Sequence, residues 1–144
     1  MTPDEKVDVL SQVDLFEKLD GDSLGELAQD AQERSYSTGD VLYPERDPAN
    51  ELWIVASGSV ALGVTRPAGE EAVINTLRPV TAFGEAALFD DEGGRMVSAR
   101  AAEDTVVLTL PRDRFVTLVR EQPDVAEALL RMMAKRLREA AQRG

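Results

Sequence analysis

The stretch from Phe83 to Ala101, FGEAALFDDEGGRMVSARA, contains the most distinctive spacing in this sequence. A Gly-Glu pair, Gly84 and Glu85, opens a short apolar segment, and Arg95 follows ten residues after the glutamate. EAALF is long enough for one helical turn, whose first N–H groups lack partners and carry partial positive charge. Such a turn beside an arginine fork suits a phosphate diester. Glu85 fits only a ligand that presents hydroxyl donors next to its phosphate.

The composition indicates a single soluble globular domain. The chain has 144 residues, 43% of them hydrophobic and 30% charged, and no apolar run is long enough to span a bilayer. Its N-terminus, MTPDEKVDVLSQ, lacks the features of a signal peptide, so we expect a cytoplasmic protein without a membrane partner. Cysteine and histidine are absent, which removes the usual general base, thiolate and metal ligands. We therefore expect no enzyme activity, no metal and no resident cofactor.

The charge distribution disfavours nucleic acid as a partner of this chain alone. The formal net charge is −11, which repels a phosphate backbone. Basic residues cluster only near the end, in RMMAKRLREAAQR, and we interpret them as cations that complement the C-terminal dipole of a helix.

The order of patterns along the chain is helices, strands, helices. Capping boxes predict helices that begin at Thr2 and at Ser23 within residues 1–31. Residues 32–111 consist of short segments rich in Val, Ile and Leu between turn residues such as Gly58-Ser59 and Pro67–Gly69, which predicts six to eight strands in a small barrel or double-sheet roll. One of these strands is predicted in RMVSARA, beginning at Arg95.

Helical periodicity returns in residues 112–144. One helix is predicted in RDRFVTLVREQP and another from Pro123 onward. The second carries an apolar seam that is typical of a core or an interface: Ala126, Leu130, Met133, Leu137 and Ala140.

The segment FGEAALFDDEGGR resembles the phosphate-binding cassette of cyclic nucleotide-binding domains, the family of the catabolite activator protein, protein kinase A regulatory subunits and cyclic-nucleotide-gated channels. VDLFEKLDGDSLGELA, LWIVASGSVAL and LTLPRDRFVTLVREQP resemble, in order, other parts of the same domain. The resemblance implies a single domain over 1–144: a mainly β fold with an eight-stranded antiparallel β-roll (jelly-roll-like, a double-stranded β-helix) at 32–111, a cassette at 83–97, N-terminal helices, and a long last helix that acts as a lid or dimer helix.

The resemblance also implies roles for residues. Glu85 would bind the ribose 2′-hydroxyl and Arg95 the cyclic phosphate, with backbone N–H groups of Gly84, Ala86 and Ala87 completing the phosphate site. Met96 stands where the family usually has Ala, Ser or Thr, and its lack of a hydroxyl favours cAMP over cGMP. Candidates to cover the base or pair across a dimer lie on the last helix: Leu129, Leu130, Met133 and Leu137.

Two functions remain open. The first is a cAMP-binding sensor that couples ligand binding to movement or dimer packing of the last helix. The alternative is a degenerate cyclic nucleotide-binding fold that no longer binds nucleotide and serves as an interaction or dimerisation module. A homodimer through the last helix or an unidentified effector protein is the expected partner. Family transcription factors continue into a helix-turn-helix domain, so we expect either a stand-alone module or the sensor part of a longer protein.

Overall fold

Helices flank eight strands in the computed structural model, which describes residues 1–90 and 94–143. The elements in chain order are α1 (Pro3–Ser11), the 3-10 helix η1 (Asp14–Phe16), α2 (Gly21–Asp30), β1 (Gln32–Tyr36), β2 (Val41–Tyr43), β3 (Glu51–Ser57), β4 (Val60–Thr65), β5 (Glu71–Leu77), β6 (Thr81–Phe83), the 3-10 helix η2 (Ala86–Phe89), β7 (Ser98–Ala101), β8 (Thr105–Pro111), α3 (Arg112–Glu121) and α4 (Pro123–Arg143). Residues 91–93 of the predicted cassette and Gly144 of the predicted domain lie outside the described residues.

The strands form two antiparallel four-stranded sheets, in the orders β1-β8-β3-β6 and β2-β7-β4-β5. The predicted β-roll with flanking helices and a long C-terminal helix is therefore confirmed. Gly58 makes the turn from β3 to β4 at φ +85°, and a Cβ there would collide with Asp104 O and Thr105 Oγ1. Only glycine fits this turn without strain.

Alternation along β3 divides the apolar residues between two cores. Leu52 and Ile54 pack against the helices, whereas Trp53 and Val55 point into the roll. Successive strand side chains point to opposite faces, so a strand that is buried on both faces must be apolar throughout. The core inside the roll contains the candidate site.

The two N-terminal helices begin with side-chain caps. Thr2 Oγ1 accepts from Glu5 N at 3.1 Å and the Glu5 carboxylate accepts from Thr2 N at 3.0 Å, which confirms the predicted capping box. The start predicted at Ser23 is wrong, because α2 begins at Gly21 with Asp20 as its N-cap. Asp20 Oδ1 accepts from the Ser23 N–H at 2.7 Å, so Ser23 is the capped residue and not the cap.

Helix α4 follows α3 directly and presents different sides to the core and to solvent. Val125 and Leu129 are buried in the helical core, while Leu130 and Leu137 are 69% and 72% exposed.

Within the described ranges, no helix combines the length and apolar composition that crossing a bilayer requires.

Candidate functional site

The site starts where β6 ends. Gly84 follows Phe83 with φ +80°, and Glu85 precedes the single 3-10 turn η2. A Cβ on Gly84 would lie 2.6 Å from Arg95 Nη1 and 3.5 Å from Trp53 Cδ1. Both the backbone conformation and the space therefore call for glycine, and its absent side chain lets the arginine reach the turn.

Glu85 is a fully buried carboxyl group, at 0% exposure. Its Oε1 accepts from Nη1 of Arg136, which reaches in from α4 and also donates through Nη2 to Ala82 O at 3.1 Å. Its other oxygen, Oε2, has no hydrogen-bond partner among the described residues. The last helix is thus linked to the cassette by an ion pair, and one acceptor remains unused.

Arg95 is also buried, at 4% exposure. Nη1 donates to Gly84 O at 2.6 Å and Nη2 donates to Glu51 O at 2.7 Å, while Nε has no partner in the described part of the chain. Burial lowers the pKa of Arg95, against the opposing effect of Tyr43 and the nearby carboxylates. The guanidinium is anchored to backbone carbonyls and keeps a buried donor available.

The loop between β2 and β3 holds the backbone of Arg95. The Arg95 N–H donates to Asp47 O at 2.8 Å, and the Arg46 N–H donates to Arg95 O at 2.7 Å. A Cβ on Gly94 would overlap Arg46 O, so this close approach needs glycine. These loop contacts replace strand pairing, and β7 begins at Ser98 instead of at Arg95, where the sequence pattern had placed it.

Aromatic side chains line the roll next to Arg95. The ring centroid of Tyr43 lies 4.4 Å from Arg95 Cζ and 5.7 Å from the ring of Trp53. Burial raises the pKa of Tyr43 to about 12, so the phenol is neutral at physiological pH. The indole Nε1 of Trp53 is buried and has no partner among the described residues.

The structure brings Gly84, Glu85 and Arg95 together, as predicted from their spacing. Ala86 and Ala87 form the start of η2, and Met96 is 61% exposed.

The apolar residues of α4 that were predicted to cover a ligand differ in burial. Leu129 packs in the helical core, Met133 packs partly against it, and Leu130 is exposed. The contact that α4 makes with Glu85 comes from Arg136. Contact of the three apolar residues with a ligand stays a prediction.

Arg136 is the site residue that sequence reasoning missed. It was interpreted with its neighbours as a cation that complements the helix dipole, but it is half-buried and contacts Glu85 and Ala82. A usable signal is its position three residues after Met133, which places a cation on the partly buried side of α4.

Comparison with known proteins matches the model of the cyclic nucleotide-binding domain to residues 33–122. The chain is 42% identical over 109 residues to the cyclic AMP receptor protein of Thermus thermophilus, covering 76% of this chain and 50% of that protein. The crystal structure of Thermus thermophilus catabolite activator protein is similar with a TM-score of 0.81 and 38% identity, covering 90% of this chain and 61% of that one. The regulatory domain of Toxoplasma gondii PKA, co-crystallised with cAMP, gives a TM-score of 0.72 at 29% identity, covering 80% and 43%. The chain spans about half the length of the curated relatives it matches (58% and 50% of two of them).

Proposed function

The chain belongs to the cyclic nucleotide-binding domain family, and we propose that it is a cytoplasmic regulatory module that binds cAMP and transmits binding to α4. Regulation through binding, not catalysis, agrees with its relatives, which include a cyclic AMP receptor protein and a cAMP-activated transcriptional regulator.

The observation that carries the proposal is a pair of buried atoms that lack partners among the described residues. In that part of the chain, no acceptor binds the Arg95 Nε–H and no donor binds Glu85 Oε2, and the two residues are 4% and 0% exposed. A buried polar group without a partner costs about 1–3 kcal/mol. A ligand with both an anionic oxygen and a hydroxyl satisfies both groups, whereas a simple anion satisfies only the arginine and meets the glutamate charge. The cyclic phosphate and ribose 2′-hydroxyl of a cyclic nucleotide supply this combination, with backbone N–H groups of Gly84, Ala86 and Ala87 as further donors.

Two observations favour cAMP over cGMP. Relatives in the comparison are described as binding or responding to cAMP. Met96 offers no hydroxyl to a guanine, and its side chain points largely to solvent.

Coupling to α4 follows from a shared carboxylate. Arg136 uses Oε1 of Glu85, and the ribose hydroxyl would use Oε2. Two donors that hold the same buried carboxylate in one orientation favour each other's binding, which makes α4 docking and nucleotide binding reciprocal. We therefore expect cAMP to favour the docked position of α4.

Calorimetric titration of cAMP tests the binding proposal. Arg95→Ala removes charge-assisted hydrogen bonds worth about 1.5–3 kcal/mol each and should weaken binding at least about tenfold. Arg66→Ala is the matched control, because Arg66 is an exposed arginine on the β4–β5 hairpin, paired with Glu70; its affinity should equal that of the wild type. No heat from the wild type at high micromolar cAMP, with a folded protein by circular dichroism, would contradict the proposal.

Hydrogen exchange tests the coupling. Amides of α4 near Arg136 should exchange more slowly with saturating cAMP, and this protection should disappear in Arg136→Met. Faster exchange with cAMP would show that nucleotide displaces the helix and would overturn the direction of coupling.

A second candidate function is dimerisation without nucleotide. Leu130 and Leu137 are seven residues apart and more than two-thirds exposed, so they form an apolar stripe on one side of α4. This candidate predicts a constant dimer in sedimentation velocity, with no effect of cAMP, and a monomer in Leu137→Glu. The sensor function predicts that cAMP changes the hydrodynamic shape or the dimer constant.

A further inference from the structure

Tyr43 lies with its ring against the guanidinium of Arg95, at 4.4 Å from ring centroid to Cζ. Both side chains are only 4% exposed, so the contact is shielded from water. We propose that Tyr43 is a positioning residue for the phosphate-binding arginine, which holds the plane of the guanidinium and stabilises its charge before ligand arrives. This inference rests on the proposed function, because Arg95 is assigned to the phosphate there.

The first argument is electrostatic. Within the described ranges, no carboxylate makes an ion pair with Arg95, although the cation is buried. A carboxylate in contact would neutralise the charge and occupy N–H donors that a phosphate needs. An aromatic face attracts a cation through its quadrupole and occupies no donor. Tyr43 therefore stabilises the buried charge while the Nε–H donor stays available.

The second argument is geometric. Bonds to Gly84 O at 2.6 Å and Glu51 O at 2.7 Å hold two edges of the guanidinium, and the ring of Tyr43 covers one of its faces. The ring is itself held by Trp53 and Phe83, whose centroids lie 5.7 and 6.3 Å away. These edge and face contacts together orient the Arg95 guanidinium before ligand binds, so less side-chain conformational entropy is lost on binding.

Titration of cAMP into four proteins tests the role. Tyr43→Phe keeps the ring and should bind within about twofold of wild type, whereas Tyr43→Leu should bind about five- to tenfold more weakly. Tyr36→Leu is the control, because Tyr36 packs against the same aromatic cluster, with its ring 6.1 Å from that of Trp53, and the substitution removes this partly buried ring. Its affinity should stay within about twofold of wild type. Equal affinities of Tyr43→Leu and Tyr43→Phe would overturn the inference and leave the proposed function intact.

A readout without ligand separates the two proposals. The Nε–H resonance of Arg95, identified by its loss in Arg95→Lys, should be shifted upfield by the ring of Tyr43 in wild type and Tyr43→Phe, and not in Tyr43→Leu. If wild type does not bind cAMP, the proposed function fails and this shift alone decides the inference. An unshifted resonance in the wild type overturns it, whether or not Tyr43→Leu folds.

Discussion

Replacing Arg136 by methionine should destabilise the fold by about 2 kcal/mol. The change removes a charge-assisted bond to Glu85, worth about 1.5–3 kcal/mol, and a bond to Ala82 O, worth about 1 kcal/mol. The Arg136 side chain is 40% exposed, so solvent weakens these two bonds, and the expected loss is smaller than the sum of their energies. Methionine retains the apolar stem that packs along the helix. For a chain of 144 residues, the loss corresponds to a fall of about 6 °C in Tm.

A double-mutant cycle shows whether the loss comes from the pair. Urea unfolding of wild type, Arg136→Met, Glu85→Gln and the double variant can be followed by the fluorescence of Trp53, the single tryptophan, which is 1% exposed. We expect the two changes to be coupled by about 1 kcal/mol, with the double variant less destabilised than the sum. Arg138→Met, an exposed arginine on the same helix, should change stability by less than about 0.5 kcal/mol.

Additive effects would refute the reasoning. If the two changes add to within about 0.3–0.5 kcal/mol, Arg136 and Glu85 do not interact in solution, and the proposed link between cassette and α4 has no physical basis. An effect of Arg138→Met as large as that of Arg136→Met would instead show a general requirement for positive charge on the helix.

Three further outcomes are expected. Gly84→Ala should cost at least about 1–2 kcal/mol, because φ is +80° there and the new Cβ would also lie 2.6 Å from Arg95 Nη1. Gly25→Ala in α2, with nothing within 4 Å of the new Cβ, should instead gain about 0.5–1 kcal/mol by thermal unfolding. Asp20→Ala should lower Tm at pH 7, because it removes the N-cap of α2. Since the hydrogen bond from the Ser23 N–H lowers the pKa of Asp20, the difference in Tm from wild type should narrow as the pH falls through the acidic range in which this carboxylate is protonated. Met96→Ser should tighten cAMP binding up to about tenfold by calorimetry if the hydroxyl reaches the phosphate.

Local signals predicted the fold well because each is contained within a few residues. The capping box at Thr2 and the glycine turn at Gly58 depend on spacings of three residues or fewer, and both are confirmed. The error at Ser23 is of the same local kind, since Asp20 is also a cap residue and the pattern alone does not decide between two candidates. The predicted start of β7 at Arg95 is wrong for a different reason. Backbone hydrogen bonds that join Arg95 to Arg46 and Asp47 in the loop between β2 and β3 take the place of strand pairing there.

The site was predicted only as far as its residues are close in sequence. Gly84, Glu85 and Arg95 fall within one motif, and their proximity is observed. Arg136 is 51 residues from Glu85. Its spacing from Met133 places it on the partly buried side of α4, but no local pattern indicates that it contacts this carboxylate. Packing of α4 decides which of its cations meets the buried carboxylate, and packing is a property of the whole fold.

We expect the missing hydroxyl at Met96 to affect ligand affinity less than the N–H donors of Arg95 do. A guanidinium has five N–H donors, and the bonds to Gly84 O and Glu51 O use two of them. Among the described residues, no acceptor binds the Nε–H or one further N–H of each amino group, so we expect that a phosphate can bind the guanidinium without breaking either anchor. Absence of one hydroxyl removes about 1 kcal/mol, whereas loss of the anchored guanidinium would remove the charge on which the proposed recognition depends. Since Met96 is 61% exposed, we expect the missing hydroxyl at this position to reduce affinity without closing the proposed site.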